Sequence, residues 1–297
     1  MKTVFALVRR NRQLFFRDKG MLMSSLITPL ILIVLYATFL ANVYKDSFQS
    51  ALPEFLEIEG KIINGTVAAQ LTAALLAVSC ITVTFCVNLT MVQDKAFGTR
   101  KDFNVSPVKK PVIYIGYFFA TVLNSLMVNG LALVVCMGYM AKMGWYMTVT
   151  DVLWVILDMV LLVLFGAVLS SLVCYPLKTQ GQMSAVGTIV SAGYGFICGA
   201  YMPISNFGEG LQKFLSFLPS TYGTSMLKNH MMRGVFEEME DIGFPEEVVD
   251  GIATSLDCNP KFFDHVVTVN EMVLVMAASV VVLGGLYILL TCTREKD

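Results

Sequence analysis

The chain has 297 residues, 56% of them hydrophobic and 14% charged, with a formal net charge of −1. An ordinary soluble domain carries about 25% charged residues, so the composition excludes a typical soluble fold, and the near-neutral balance makes nucleic acid an unexpected partner. Of seven cysteines, Cys80, Cys86, Cys136, Cys174, Cys198 and Cys292 fall in apolar stretches and only Cys258 reads as solvent-facing. Their spacing matches no zinc or haem motif, so neither a metal site nor a disulfide framework is expected.

Residues 1–19 open on basic residues instead of an apolar run, and a cleaved leader is not expected there. Read as a helix, they place Val4, Leu7, Val8, Leu14 and Phe15 on one face and Lys2, Arg9, Arg10, Gln13 and Arg17 on the other, with Arg12 projecting toward the apolar side. An amphipathic helix lying in the membrane interface fits this pattern, as does a set of topology-setting charges.

A hydrocarbon core about 30 Å thick needs about 20 apolar helical residues to cross it. Six such windows follow, between Lys19 and Lys45, Lys61 and Asp94, Lys110 and Lys142, Asp151 and Lys178, Lys178 and Glu209, and Glu271 and Arg294. The expected fold is therefore an all-α membrane protein with six transmembrane helices. Basic residues are retained on the cytoplasmic side. The N-terminus, the loop 93–110, the turn at Lys178 and the C-terminal tail hold 14 of the 21 Lys and Arg, while the opposite segments hold 16 of the 22 acidic residues. Both termini are expected to be cytoplasmic.

The loop 93–110 is short, mixed in charge and punctuated by Gly98 and Ser106-Pro107. A short helix from Asp94 to Phe103 followed by a turn is expected; it could serve as a handle for a soluble partner or simply as a solvated loop. Within the spans Asp158 is the lone formal charge, at a cost of about 2.5–3.5 kcal/mol near a bilayer centre. Proton or substrate handling and a hydrogen-bonded structural carboxylate are both open to it.

The outer segment 203–270 divides in two. Its first part is too apolar for a loop and too broken by Gly210, Pro219 and Gly223 to span, so partly re-entrant helices covered by other helices are expected. Its second part is an acidic cap, with helix starts expected at Pro245 and at Asn259-Pro260. His230 and His265 both lie in this outer segment, and the chain contains no GxxxxGK[ST], HExxH or GxSxG motif. Enzymatic activity is not expected.

The loop pattern of Asp94, Gly98-Thr99 and Pro107, and the run Pro219, Tyr222, Arg233 and Gly234 before the last span, resemble the ABC-2 type transport permeases. Daunorubicin-resistance, bacitracin-resistance and polysaccharide-export permeases belong to that family. Gln93 departs from the resemblance, since an acidic residue is common there, and the acidic insert after Gly234 is longer than a minimal member needs. The resemblance covers nearly the whole chain and implies one transmembrane domain over residues 1–297. Such a permease would sit in the plasma membrane among lipids, as a homodimer or with a related permease. It would carry no cofactor itself and would recruit a separate ATPase subunit holding ATP and Mg. The residues implied for coupling are Asp94, Lys95, Gly98, Thr99, Arg100, Lys101 and Pro107, with Arg9 and Arg10 of the N-terminal helix. Thr84, Asn88, Gln182, Ser184 and Ser191 would border the substrate pathway, and Pro219 and Tyr222 would belong to an outer gate. The implied cargo is amphipathic: a drug, a peptide antibiotic or a lipid. The alternatives are an ion-coupled secondary transporter or channel, against which the scarcity of intramembrane charge counts, and a membrane enzyme or sensor using the acidic cap.

Overall fold

The computed structural model describes residues 2–35, 60–99, 103, 105, 108–263 and 265–293. Helix α1 (Lys2–Arg17) is followed after one residue by α2 (Lys19–Leu35). Asp18 makes the break: its Oδ1 accepts from the backbone N–H groups of Gly20 at 2.9 Å and Met21 at 3.1 Å. These donors open a helix and have no partner within it. Helices α3 (Gly60–Ala96), α4 (Lys110–Met143), α5 (Val149–Cys174) and α6 (Gln180–Ile197) follow. Reciprocal capping starts α5 through Thr148 and Asp151, and α6 through Thr179 and Gln182.

The outer segment forms α7 (Glu209–Ser216), α8 (Pro219–Asp241) and α9 (Glu246–Ser255), then a hairpin of β1 (Lys261–Phe262) and β2 (His265–Val266). The last helix, α10 (Val269–Thr293), is capped by Glu271, whose Oε2 accepts from the Thr268 backbone N–H at 2.7 Å.

Helices α3, α4, α5 and α10 are each long and apolar enough to cross a membrane. The shorter α2 and α6 occupy the first and fifth apolar windows. The chain is thus a helical, multi-pass membrane protein. Helix α3 is its hub, packed against α2, α4, α5, α6 and α8. In its most apolar stretch 89% of residues are buried, against 11% in α10. A helix apolar all round is suited to burial among helices or to lipid; α3 takes the first option, and α10 turns Leu274, Val281, Val282 and Leu289 outward.

The structure corrects the sequence reading at four points. Helix α1 buries Leu7, Val8, Asn11 and Phe15, while Leu14 is 39% exposed; Arg10, not Arg12, turns inward, because a buried carboxylate waits there for it. No free helix begins at Asp94, which lies in the last turn of α3, and Gly98 breaks the chain beyond it at φ 83°. Cys258 is 1% exposed and Cys292 is the exposed thiol. The backbone N–H of Cys258 closes on the Ala253 carbonyl at 2.9 Å, tucking the thiol beneath α9. Asn259-Pro260 opens the hairpin instead of a helix: the aromatic and β-branched residues that follow suit a strand, and Lys261 pairs with Val266, Phe262 with His265.

Candidate functional site

At the last turn of α3, helices α1, α3 and α4 meet on one carboxylate. Arg10 donates to Asp94 from both guanidinium ends, Nη1 to Oδ2 at 2.6 Å and Nη2 to Oδ1 at 3.0 Å. The Tyr117 hydroxyl also donates to Asp94 Oδ2. Fork-to-fork pairs of this kind are among the stronger charge-assisted bonds. The Asp94 hydrogen bond raises the pKa of Arg10 above its ordinary value, against the opposing effect of burial. The guanidinium also lies 5.1 Å from the Phe103 ring centroid, so Phe103 is drawn to the same point.

Lys95 performs a parallel task on the other side. Its ammonium donates to the carbonyls of Cys174 at 3.3 Å, Tyr175 at 2.5 Å and Leu177 at 3.3 Å, where α5 ends and its carbonyls lack helical partners. Asp94 and Lys95 thus tie the middle of α1, the start of α4 and the end of α5 to the last turn of α3. Arg9 stays exposed on α1. Phe97 and Gly98 form the turn below and Thr99 is helical again; Arg100, Lys101 and Pro107 lie outside the described residues.

The five pathway residues divide. Ser184 and Ser191 line an open groove of about 570 Å³ between α2, α3 and α6, together with Ser24 and Thr188 and with apolar walls such as Ile27 and Leu89. Gln182 accepts from the backbone N–H groups of Lys178 and Thr179 at the start of α6. Thr84 and Asn88 are buried within the chain. Asn88 donates to the Ser170 and Ser171 hydroxyls at 3.1 and 3.0 Å, and Thr84 packs where α3 meets Gly166 of α5. Hydrogen bonds between membrane helices contribute about 0.6 kcal/mol on average, so Asn88 serves as a modest joint between α3 and α5.

Helix α8 is buried between α3, α5 and α10 along most of its length. Pro219 occupies its first turn, where a missing N–H costs nothing. Tyr222 is 5% exposed, donates to the Ser216 carbonyl, and packs with Met226, Val267 and Met272. Four polar side chains then tie α8 to its surroundings, Asn229 among them through a bond from its amide to the Cys258 carbonyl at 2.5 Å. Lys228, fully buried, reaches the Gly199 carbonyl at 3.2 Å and Asp257 Oδ2 at 3.5 Å. His230 Nδ1 lies 2.6 Å from Asp158 Oδ2, with Trp154 stacked on the imidazole. Arg233 pairs with Asp151 at 2.7 Å and Glu237 at 3.6 Å. Gly234 permits the closest approach, since a Cβ there would stand 2.0 Å from the Tyr146 carbonyl oxygen.

Sequence reasoning passed over Lys228, His230 and Asp257 as site residues. Charged residues inside a run flanked by Met226, Leu227, Met231 and Met232 were the available signal, because such residues are seldom buried unless paired.

Residues 2–232 match the family described as ABC-2 type transporter. No curated protein sequence matches the chain.

Proposed function

The chain belongs to the ABC-2 type transporter family, and on that footing we propose that it is the permease subunit of an ATP-driven exporter. In this reading α2 and α6 complete six spans, both termini are cytoplasmic, the membrane is the plasma membrane, and two permeases form the path. ATP and Mg belong to a separate subunit. The observation that carries the coupling proposal is the Arg10–Asp94 pair with its Tyr117 partner. A push on α1 or on the turn at Gly98 reaches α3 and α4 through one charge-assisted joint, and α5 through Lys95 beside it.

The α7–α8 segment is proposed as the outer gate. Gly223 faces Leu162 and Arg233 pairs with Asp151, so the two helices run antiparallel over ten or so residues, about 15 Å at 1.5 Å per residue. That depth supports a segment that enters the membrane partway and returns. The groove carrying Ser184 and Ser191 supports an amphipathic cargo, because hydroxyls are set among apolar walls.

Co-expression with the cognate ATPase tests the reading. The wild-type pair is expected to co-purify and hydrolyse ATP, and R10A to reduce the transport achieved per ATP. A chain that recruits no ATPase and transports in liposomes on an ion gradient alone would overturn it. One observation favours that second reading: Asp158 and His230 form a buried titratable pair in the outer half of the domain.

A further inference from the structure

A cavity of about 460 Å³ opens on the outer side between α7, the start of α8, the end of α9 and the hairpin. Among the described residues the chain has two non-glycine positions in the left-handed backbone region, Asp257 at φ 59° and Phe263 at φ 54°, and both line this cavity. Asp257 follows the end of α9, where the Cys258 backbone N–H reaches back to the Ala253 carbonyl, and Phe263 stands in the hairpin turn beyond Phe262, so a helix cap and a tight turn hold the two residues in this conformation. Here they aim a carboxylate and a ring at the same space.

The charges around it are unevenly committed. Asp257 Oδ2 accepts from the Ile204 backbone N–H at 2.8 Å and faces the buried Lys228, while its Oδ1 takes no hydrogen bond among the described residues. Lys213, Lys261 and Glu209 also line the cavity and have no ion-pair partner among the described residues. Two free ammonium groups favour an anion at the mouth. A carboxylate oxygen on the wall opposes a bare anion and favours an N–H donor deeper in. A ligand bearing both charges a few ångströms apart meets both requirements.

Beside the cavity, Phe217, Phe262 and Phe263 form an edge-to-face cluster with centroids 5.0–5.9 Å apart, and Phe217 and Phe263 are 60% and 58% exposed. Exposed phenylalanine rings offer apolar surface of the kind that buries into the acyl boundary of a bilayer, so an apolar tail leaving the cavity meets a surface suited to it.

We propose that this cavity binds a phosphoethanolamine head group, with the ammonium on Asp257 Oδ1 and the phosphate between Lys213 and Lys261. The source is an outer-leaflet phospholipid or a soluble phosphoethanolamine ester. The proposal stands apart from the ATP-coupled reading, since binding is read without any ATPase.

The full chain, purified in detergent, is mixed with palmitoyl-oleoyl phosphatidylethanolamine, with the matching phosphatidylglycerol, and with glycerophosphoethanolamine, and retained molecules are counted by native mass spectrometry. Phosphatidylethanolamine is expected to bind about tenfold more tightly than phosphatidylglycerol. The affinity for both lipids should fall about tenfold in the double variant K213Q/K261Q, because the lysines hold the phosphate that the two share; the variant alters exposed side chains only, with an unchanged melting temperature. Displacement of the lipid by glycerophosphoethanolamine assigns the site to soluble esters; retention of the lipid against it assigns the site to the bilayer. Equal retention of the two lipids by the wild-type chain, or an unaltered affinity for phosphatidylethanolamine in the double variant, overturns the proposal.

Discussion

His230 Nδ1 meets Asp158 Oδ2 at 2.6 Å, in a setting where Asp158 is 1% exposed and its Oδ1 has no partner. The imidazole is the single described group that satisfies this carboxylate. Removing one member of a buried pair typically costs about 3–5 kcal/mol, because the other is left uncompensated. H230A should therefore lower thermal stability in detergent sharply. D158N should lower it less, and D158N/H230A less than H230A alone. A wild-type melting temperature for H230A would show the carboxylate to be paired elsewhere.

Gly234 sets how closely α8 can lie against the α4–α5 connection. G234A forces a methyl group onto the Tyr146 carbonyl, 2.0 Å away, and neither backbone can yield as a flexible side chain would. A methyl group at Gly130 of α4 would meet nothing within 4 Å. G130A should be neutral or stabilise by about 0.5–1 kcal/mol through lower chain entropy in the unfolded state, while G234A destabilises. Thermal scans of the two variants side by side check the contrast.

Lys95 is matched to three carbonyls at the end of α5. K95M keeps much of the stem and removes the donor. The expected loss is about 1–2 kcal/mol, from the bonds to a charged group and the dipole interaction, with hydrogen exchange rising at Tyr175 and Leu177 before it rises at mid-helix. Uniform exchange across α5 would contradict the capping role.

Cys258 lies outside the spans, and burial pushes its thiol up to about 12. A free thiol ionises near 8.5, and the thiolate is the reactive form. Raising the pH from 7 to 9 therefore ionises an ordinary exposed cysteine extensively and leaves Cys258 almost wholly protonated. A membrane-impermeant maleimide added to intact protein should leave Cys258 unlabelled at both values and label it once α9 is unfolded by denaturant. Rapid labelling at pH 9 without denaturant would place the thiol at the surface.

The helical membrane class was legible because hydrocarbon thickness demands long uncharged windows, and the stretches of α3, α4, α5 and α10 supply them. Asp94 was legible as a residue of interest, but its burial was not, since Arg10 and Tyr117 lie 84 and 23 residues away and periodicity orders faces of one helix only. Asp158 and His230 are 72 residues apart, and neither helix pattern points to the other. Thr148-x-x-Asp151 and Thr268-x-x-Glu271 were readable as capping boxes from spacing alone and would have set the starts of α5 and α10. The hairpin escaped because a proline after asparagine suits a helix start as well as a turn, and only the following Phe262, Phe263 and Val266 distinguish them.

Within six residues Lys228 fastens α8 to the Gly199 carbonyl and Asp257, and His230 and Arg233 fasten it to α5. A helix slipping along its axis by one residue moves 1.5 Å, whereas hydrogen bonds of this kind tolerate a few tenths of an ångström. All three would break in the same step, with no intermediate register in which some survive. Piston motion of α8 is thereby disfavoured, and opening on this side must carry α5 along with it or release every fastening in concert, which makes the transition abrupt instead of graded.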